Sequence, residues 1–187
     1  MKLLLHTCCA PCSILCVEAL AADGARPDLY WFNPNIHPFM EYRSRRDALD
    51  SFAKSKGLSL YMEDEYGLRS FIKAVSSPEE SSCEKGSGRC AFCYRLRLEK
   101  TARFAAEKGC LSFSTTLLIS PYQNHELIRQ IGEELAGAYG LQFLYRDFRP
   151  FFRKGQAEAR EAGYYMQKYC GCIYSEEERY LKKQGRE

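Results

Sequence analysis

Lys2-Leu3-Leu4-Leu5-His6-Thr7-Cys8-Cys9-Ala10-Pro11-Cys12 is the stretch whose reading decides the fold. Residues 2–6 are a short apolar run of strand length, and residues 13–22, with Pro11 just before them, read as a helix. The same alternation runs down the chain. Strands are expected at 28–32, 58–62, 111–116 and 141–145. Helices are expected at 39–56 (stopped by Gly57), 68–75, 90–108 (stopped by Gly109), 124–138, 151–163 and 175–183. Residues 76–89, rich in Ser, Pro, Glu and Gly, read as a mobile loop. Strands alternating with helices of this length predict an α/β fold. Its mostly parallel five-stranded sheet would carry helices on both faces. No internal repeat or domain linker interrupts residues 1–187, which are expected to form one domain.

In such a sheet, ligands bind in the crevice beyond the carboxyl ends of the strands. The segments that follow the strands are unusual here. His6-Thr7-Cys8-Cys9 follows the first, Asn33-Pro34-Asn35-Ile36-His37-Pro38 the second, residues 115–123 the fourth, and Arg146-Asp147-Phe148-Arg149 the fifth.

The chain has 187 residues, enough to bury a full apolar core without disulfides. Residues 2–6 run straight into cysteines rather than into a secretory h-region, and no apolar run approaches a membrane span. A cytoplasmic protein is expected, in which thiols stay reduced. The net charge of +3 and a sequence pI near 8.3 are only weakly suggestive of a nucleic-acid partner.

Ten cysteines are therefore the main chemical signal. Seven fall in three clusters: Cys8, Cys9 and Cys12; Cys90 and Cys93; Cys170 and Cys172. Three chemistries compete for them. Cys9-x-Pro-Cys12 at a strand-to-helix turn resembles a thioredoxin-type dithiol, but that needs only two thiols. Cys90-x-x-Cys93 with Cys170-x-Cys172 can make a four-thiolate structural zinc site, which leaves Cys8 and Cys9 idle. An iron–sulfur site draws soft thiolates from several segments, and a second metal would use the surplus. Neighbours in an extended segment point opposite ways, so Cys8 and Cys9 could each serve a different metal. Cys16 and Cys110 read as small buried apolar residues, and Cys83 stays undecided.

The residues His6-Thr7-Cys8-Cys9-Ala10-Pro11-Cys12, Asn33 to Pro38 with Glu41, Tyr42 and Arg45, Cys90-x-x-Cys93-Tyr94-Arg95-Leu96-Arg97, Thr115-Thr116-Leu117 with Ser120-Pro121, Asp147-Phe148-Arg149, and Tyr169-Cys170-Gly171-Cys172 with Ser175 together resemble the epoxyqueuosine reductases of the QueH type, over nearly the whole chain. The resemblance implies a fold related to the nucleotide-binding HUP group, which is Rossmann-like. It implies reduction of the epoxide of epoxyqueuosine at the tRNA wobble position to queuosine, the last step of queuosine biosynthesis, without cobalamin. It also implies a [4Fe–4S] cluster beside a mononuclear metal, expected to be iron, and an electron donor that it leaves unnamed. Cys8, Cys9, Cys12, Cys90, Cys93, Cys170 and Cys172 are then the expected metal ligands, Cys12 alternatively lying behind a ligand or packing the helix.

Cys9, Asp147 and His37 are the candidates for the chemistry. Asp147 is either an oxygen ligand or a partner of Arg146 or Arg149. Asn33, Asn35, Arg45, Arg149 and Tyr169 are the candidates for substrate contact. His6, at the end of a buried strand, reads as a core histidine, and His125 as a solvated one. Arg43, Arg45 and Arg46, with Arg149, Arg153 and Lys154, are candidates for anticodon phosphates. The rivals from other classes are a thiol–disulfide oxidoreductase, an ATP-cleaving tRNA-modifying enzyme, and a zinc-stabilised RNA-binding module. The glycine-free stretch after the first strand argues against ATP.

Overall fold

The computed structural model describes residues 2–76 and 88–184. Its strands are β1 (Leu3–His6), β2 (Asp28–Trp31), β3 (Leu60–Met62), β4 (Ser112–Thr115) and β5 (Gln142–Phe143). Its helices are α1 (Ala10–Ala22), α2 (Phe39–Lys56), α3 (Leu68–Val75), α4 (Gly88–Glu107), α5 (His125–Tyr139), α6 (Phe152–Glu161) and α7 (Ile173–Gln184). The sheet runs β3-β2-β1-β4-β5, and every pairing is parallel. The expected α/β architecture with a parallel five-stranded sheet is therefore present.

The strand order carries the functional consequence. After β1 the chain builds outward through β2 and β3, then returns to the other side of β1 with β4. Connections leave β1 and β4 in opposite directions, so their carboxyl ends border a crevice. Leu3, Leu4 and Leu5 of β1 have no exposed surface, because they lie mid-sheet with helices above and below. Each stabilises the fold by roughly 1.5–3 kcal/mol. Cys16 and Cys110 join this core, as their sequence context predicts. A smaller cluster of Phe71, Val75, Cys93 and Cys172 sits beside it.

The differences from the sequence reading have local causes. α1 begins at Ala10, because Pro11 sits in the first turn, where its missing N–H costs nothing. The edge strands β3 and β5 are shorter than expected because each has a partner on one side only. β4 ends at Thr115, whose hydroxyl accepts the Leu117 amide (3.1 Å) and starts a 3₁₀ turn over Thr116–Ile119. α4 starts at Gly88, so the last residues of the expected loop are helical. Most of that loop, with Cys83, lies outside the described residues. Among the described residues, no helix is long and apolar enough to cross a membrane.

Candidate metal centre

Cys8 lies in a bend after β1, and Cys9 caps α1 with extended backbone angles (φ −178°, ψ 163°). The chain turns there, so strict alternation is lost. The sulfurs of Cys8 and Cys9 come within 3.8 Å of each other instead of pointing apart. This corrects the expectation that the two side chains point opposite ways. Cys12, in the first turn of α1, completes a buried triad whose sulfurs lie within 4.8 Å of one another. Among the described residues no other set of three His, Cys, Asp or Glu ligand atoms is as close. Thr116 fixes the triad against β4: its Oγ1 accepts the Cys8 amide (3.3 Å) and lies 3.6 Å from the Cys8 sulfur. Gln167 Nε2 donates to the Cys12 sulfur (3.4 Å).

The protons on the triad are shared unequally. Cys12 and Cys9 donate to the Cys8 sulfur, which pulls the Cys8 pKa well below the ordinary thiol value. Burial raises Cys9, and its role as donor to Cys8 raises Cys12. A soft ion would release the remaining protons, so the donor set fits a metal.

The other thiols are built differently. Cys90 and Cys93 lie in the first turns of α4, and Cys170-Gly171-Cys172 forms the loop before α7. Burial pushes the Cys93 thiol up to about 12 and also raises Cys172, and the charges of Cys170, Cys172 and Cys90 all reach Cys93. Gln123 donates to the Cys170 sulfur (3.4 Å). Arg97, one turn beyond Cys93 and fully buried, donates to the Cys93 sulfur (3.2 Å) and carbonyl (3.0 Å).

The 170–172 loop is clamped by α2 and the segment before it. Arg45 donates to the carbonyls of Cys170 (2.9 Å) and Tyr169 (3.0 Å) and pairs with Glu41 (2.6 Å). The His37 amide donates to the Gly171 carbonyl (2.7 Å), and the Tyr169 hydroxyl to the His37 carbonyl (2.5 Å). Gly171 has φ +144°, and a Cβ there would lie 3.2 Å from Ile36 and 3.3 Å from the Asn35 amide nitrogen, so only glycine suits this position.

Cys8, Cys12 and Cys170 line one cavity of about 850 Å³, together with Arg45, Thr116, Gln123, Gln156, Gln167 and Tyr169. Arg153, Arg160, Lys168 and Arg179 stand on its rim, exposed, and none has an acidic partner among the described residues. Among the described residues, the one carboxylate in the lining, Glu178, is paired with Arg89 (2.8 Å).

Several expected site residues lie elsewhere. His37 is sealed against Tyr66 and Phe71, and burial lowers its pKa. Asp147 is clasped by Arg149, which draws its pKa down to about 2 and uses both carboxylate oxygens. Neither Asp147 nor Arg149 lines the cavity. Asn33 donates to the Thr7 carbonyl (2.9 Å), whereas the buried amide of Asn35 has no hydrogen-bond partner among the described residues. Of the expected substrate contacts, Arg45 and Tyr169 reach the cavity, Arg45 with its guanidinium engaged by protein acceptors. His6 is a buried core residue, held neutral with a pKa of about 4 by burial and, secondarily, by Arg97. His125 is buried rather than solvated, because its Nε2 bonds to the Ser120 carbonyl (3.1 Å).

Sequence reasoning assigned no role to Arg97, Gln123, Gln167, Arg160, Lys168 or Arg179. Only Arg97 carries a local signal, its four-residue offset from Cys93 on one helix.

The family model described as Epoxyqueuosine reductase QueH matches residues 3–178. A protein of that name from Dehalococcoides mccartyi is 39% identical over 181 residues, covering 97% of this chain and 96% of the relative. One from Thermotoga maritima is 37% identical over 178 residues, covering 92% and 88%. One from Histophilus somni is 36% identical over 180 residues, covering 93% and 72%. With the cysteine triad, the crevice and these matches together, the chain belongs to the epoxyqueuosine reductase QueH family.

Proposed function

We propose that this protein is an epoxyqueuosine reductase, converting the epoxide of epoxyqueuosine at the tRNA wobble position to queuosine as the last step of that biosynthesis. The observation that carries this beyond family membership is one juxtaposition. Metal-competent sulfurs lie in a cavity whose rim bears four cations without acidic partners among the described residues. A redox centre and a surface for a polyanion share one opening.

The reaction takes two electrons and two protons, breaks both epoxide C–O bonds, forms the alkene and releases water. An external electron donor supplies the electrons, and no cobalamin takes part. We assign the closely spaced Cys8, Cys9 and Cys12 to a single ion, iron, and the wider set of Cys90, Cys93, Cys170 and Cys172 to a [4Fe–4S] cluster. When bound, the cluster supplies electrons singly and the ion supplies a Lewis acid for the epoxide oxygen. The chain's own groups do the rest. Arg153, Arg160, Lys168 and Arg179 hold anticodon phosphates. Gln123, Gln156 and Tyr169 offer polar contacts to the modified base. Thr116 and Gln167 hold the triad's sulfurs in place. His37 and Asp147 lie off the cavity, so they act on structure rather than on the epoxide. Residues 1–187 work as one unit, in the cytoplasm, where the tRNA is.

Anaerobic purification with iron and sulfide analysis, then a reductive assay on epoxyqueuosine-containing tRNA, tests this. Iron, sulfide and conversion to queuosine are expected. A colourless, iron-free protein after anaerobic reconstitution would remove the cluster. Zinc alone would favour an RNA-binding module, and iron without turnover would remove the activity.

A further inference from the structure

Two arginines are sealed inside this protein beside the sulfurs, each about 1% exposed, and they differ in what balances them. Arg45 has a carboxylate, Glu41, at 2.6 Å. Arg97 has none among the described residues. Its polar contacts are the sulfur and carbonyl of Cys93, and its guanidinium lies 6.0 Å from the Tyr94 ring centre. A buried cation without a counter-ion is strongly disfavoured, so the negative charge that balances it must be close. The sulfurs are the candidates on hand.

We infer that Arg97 is the fixed counter-charge of the sulfur centre and, through its N–H···S bond to Cys93, holds the centre's reduction potential up. This rests on the cluster reading above. It touches neither substrate nor reacting atoms and acts only through the Cys93 sulfur. Adding one electron to a thiolate-ligated cluster makes it one unit more negative. A cation and a hydrogen bond to a ligand sulfur stabilise that reduced form more than the oxidised one. Arg89 and Arg45 also lie near the sulfurs, but each has a carboxylate partner that offsets its charge.

The test is a dithionite titration of anaerobically reconstituted protein, followed by EPR and visible absorbance. Arg97→Gln is expected to make one-electron reduction at least tenfold less favourable than in wild type, about 59 mV more negative. Arg97→Met, uncharged and of similar length, is expected to do the same and replaces Gln should that variant not fold. Arg97→Lys keeps the charge and is expected to stay within threefold of wild type. Arg95→Gln, two residues earlier in an exposed pair with Glu134, is expected to leave the potential unchanged. Equal potentials for wild type and Arg97→Gln, at equal cluster content, would overturn the inference alone. So would a Lys variant as low as Gln, which would trace the effect to packing. Absence of a cluster in reconstituted wild type would overturn this inference together with the reading it rests on.

Discussion

The two sulfur groups of this protein are assembled by opposite means. Cys8, Cys9 and Cys12 come from a single turn between β1 and α1, and their closeness follows from local backbone geometry. Cys90 and Cys93 lie on α4, while Cys170 and Cys172 lie in a loop far along the chain. That loop reaches its place only because Arg45, His37 and Tyr169 hold it. The surroundings differ as well. Thr116 and Gln167 hydrogen-bond sulfurs of the triad, whereas Arg97 and Gln123 hydrogen-bond sulfurs of the second group. One site is made by short-range structure and the other by tertiary closure, so they should fail separately.

Removing single thiols should show the largest effect. Cys93→Ala is expected to lose the visible chromophore, and with it reductase activity by at least about 100-fold. Cys8→Ala is expected to lose activity to a similar degree but keep the chromophore and give up one iron. Iron and sulfide analysis beside absorbance separates the two. Equal loss of chromophore in both variants would merge the two groups into one site.

The next effect attacks the clamp. Arg45→Leu leaves Glu41, only 8% exposed, without its cation. Breaking a buried pair this way costs about 3–5 kcal/mol. Denaturant unfolding should show that loss, and the second sulfur group should fail to hold its cluster. The triad should still bind cobalt(II), followed by its thiolate charge-transfer absorbance. If Arg45→Leu instead raises KM with unchanged stability, Arg45 contacts substrate, as the sequence alone predicts.

These outcomes bear on what could be read from sequence. The α2 boundaries were legible because both ends carry local signals: Pro38 precedes it, and Gly57 ends it in the left-handed conformation (φ +59°). The parallel sheet was legible because its central strands are apolar runs between helices. The triad was legible as a motif. Its convergence was not, because a bend at Cys8 breaks the two-residue period of an extended chain. The clamp was invisible for a plainer reason. Arg45 looks like any helix arginine until the Tyr169 and Cys170 carbonyls, far along the chain, are folded onto it. His37 and His125 misled in the same way, since loop and helix-start positions say nothing about burial.

A smaller effect concerns how the shared opening meets its substrate. Arg160→Ala and Lys168→Ala remove rim cations that no described acid balances. Each should weaken binding of an anticodon stem-loop uniformly across sequences and lower the magnitude of the salt slope by about 1. The expected kinetic signature is a higher KM with kcat nearly unchanged. Iron content should not change, which would separate the rim from both sulfur groups. Loss of iron would instead make the rim part of the second group's support.

Asp147→Asn should have the smallest effect, and it tests whether either group needs an oxygen ligand. Asp147 is 38% exposed, and its carboxylate is held by Arg149, which draws its pKa from an ordinary 3.8 down to about 2. A carboxyl lowered on folding stabilises the protein above its ordinary value, and that contribution is lost as pH falls from about 4 toward 2. Solvent screens the pair, so the variant's Tm should fall by less than about 2 °C at pH 7. The difference from wild type should vanish near pH 2. Metal content and reductase activity should be unchanged, because Arg149 already occupies both oxygens. Loss of one iron from Asp147→Asn, with the chromophore intact, would mean that Asp147 leaves Arg149 for the triad's metal. The triad would then depend on the segment after β5 for a ligand and would no longer be a purely local site.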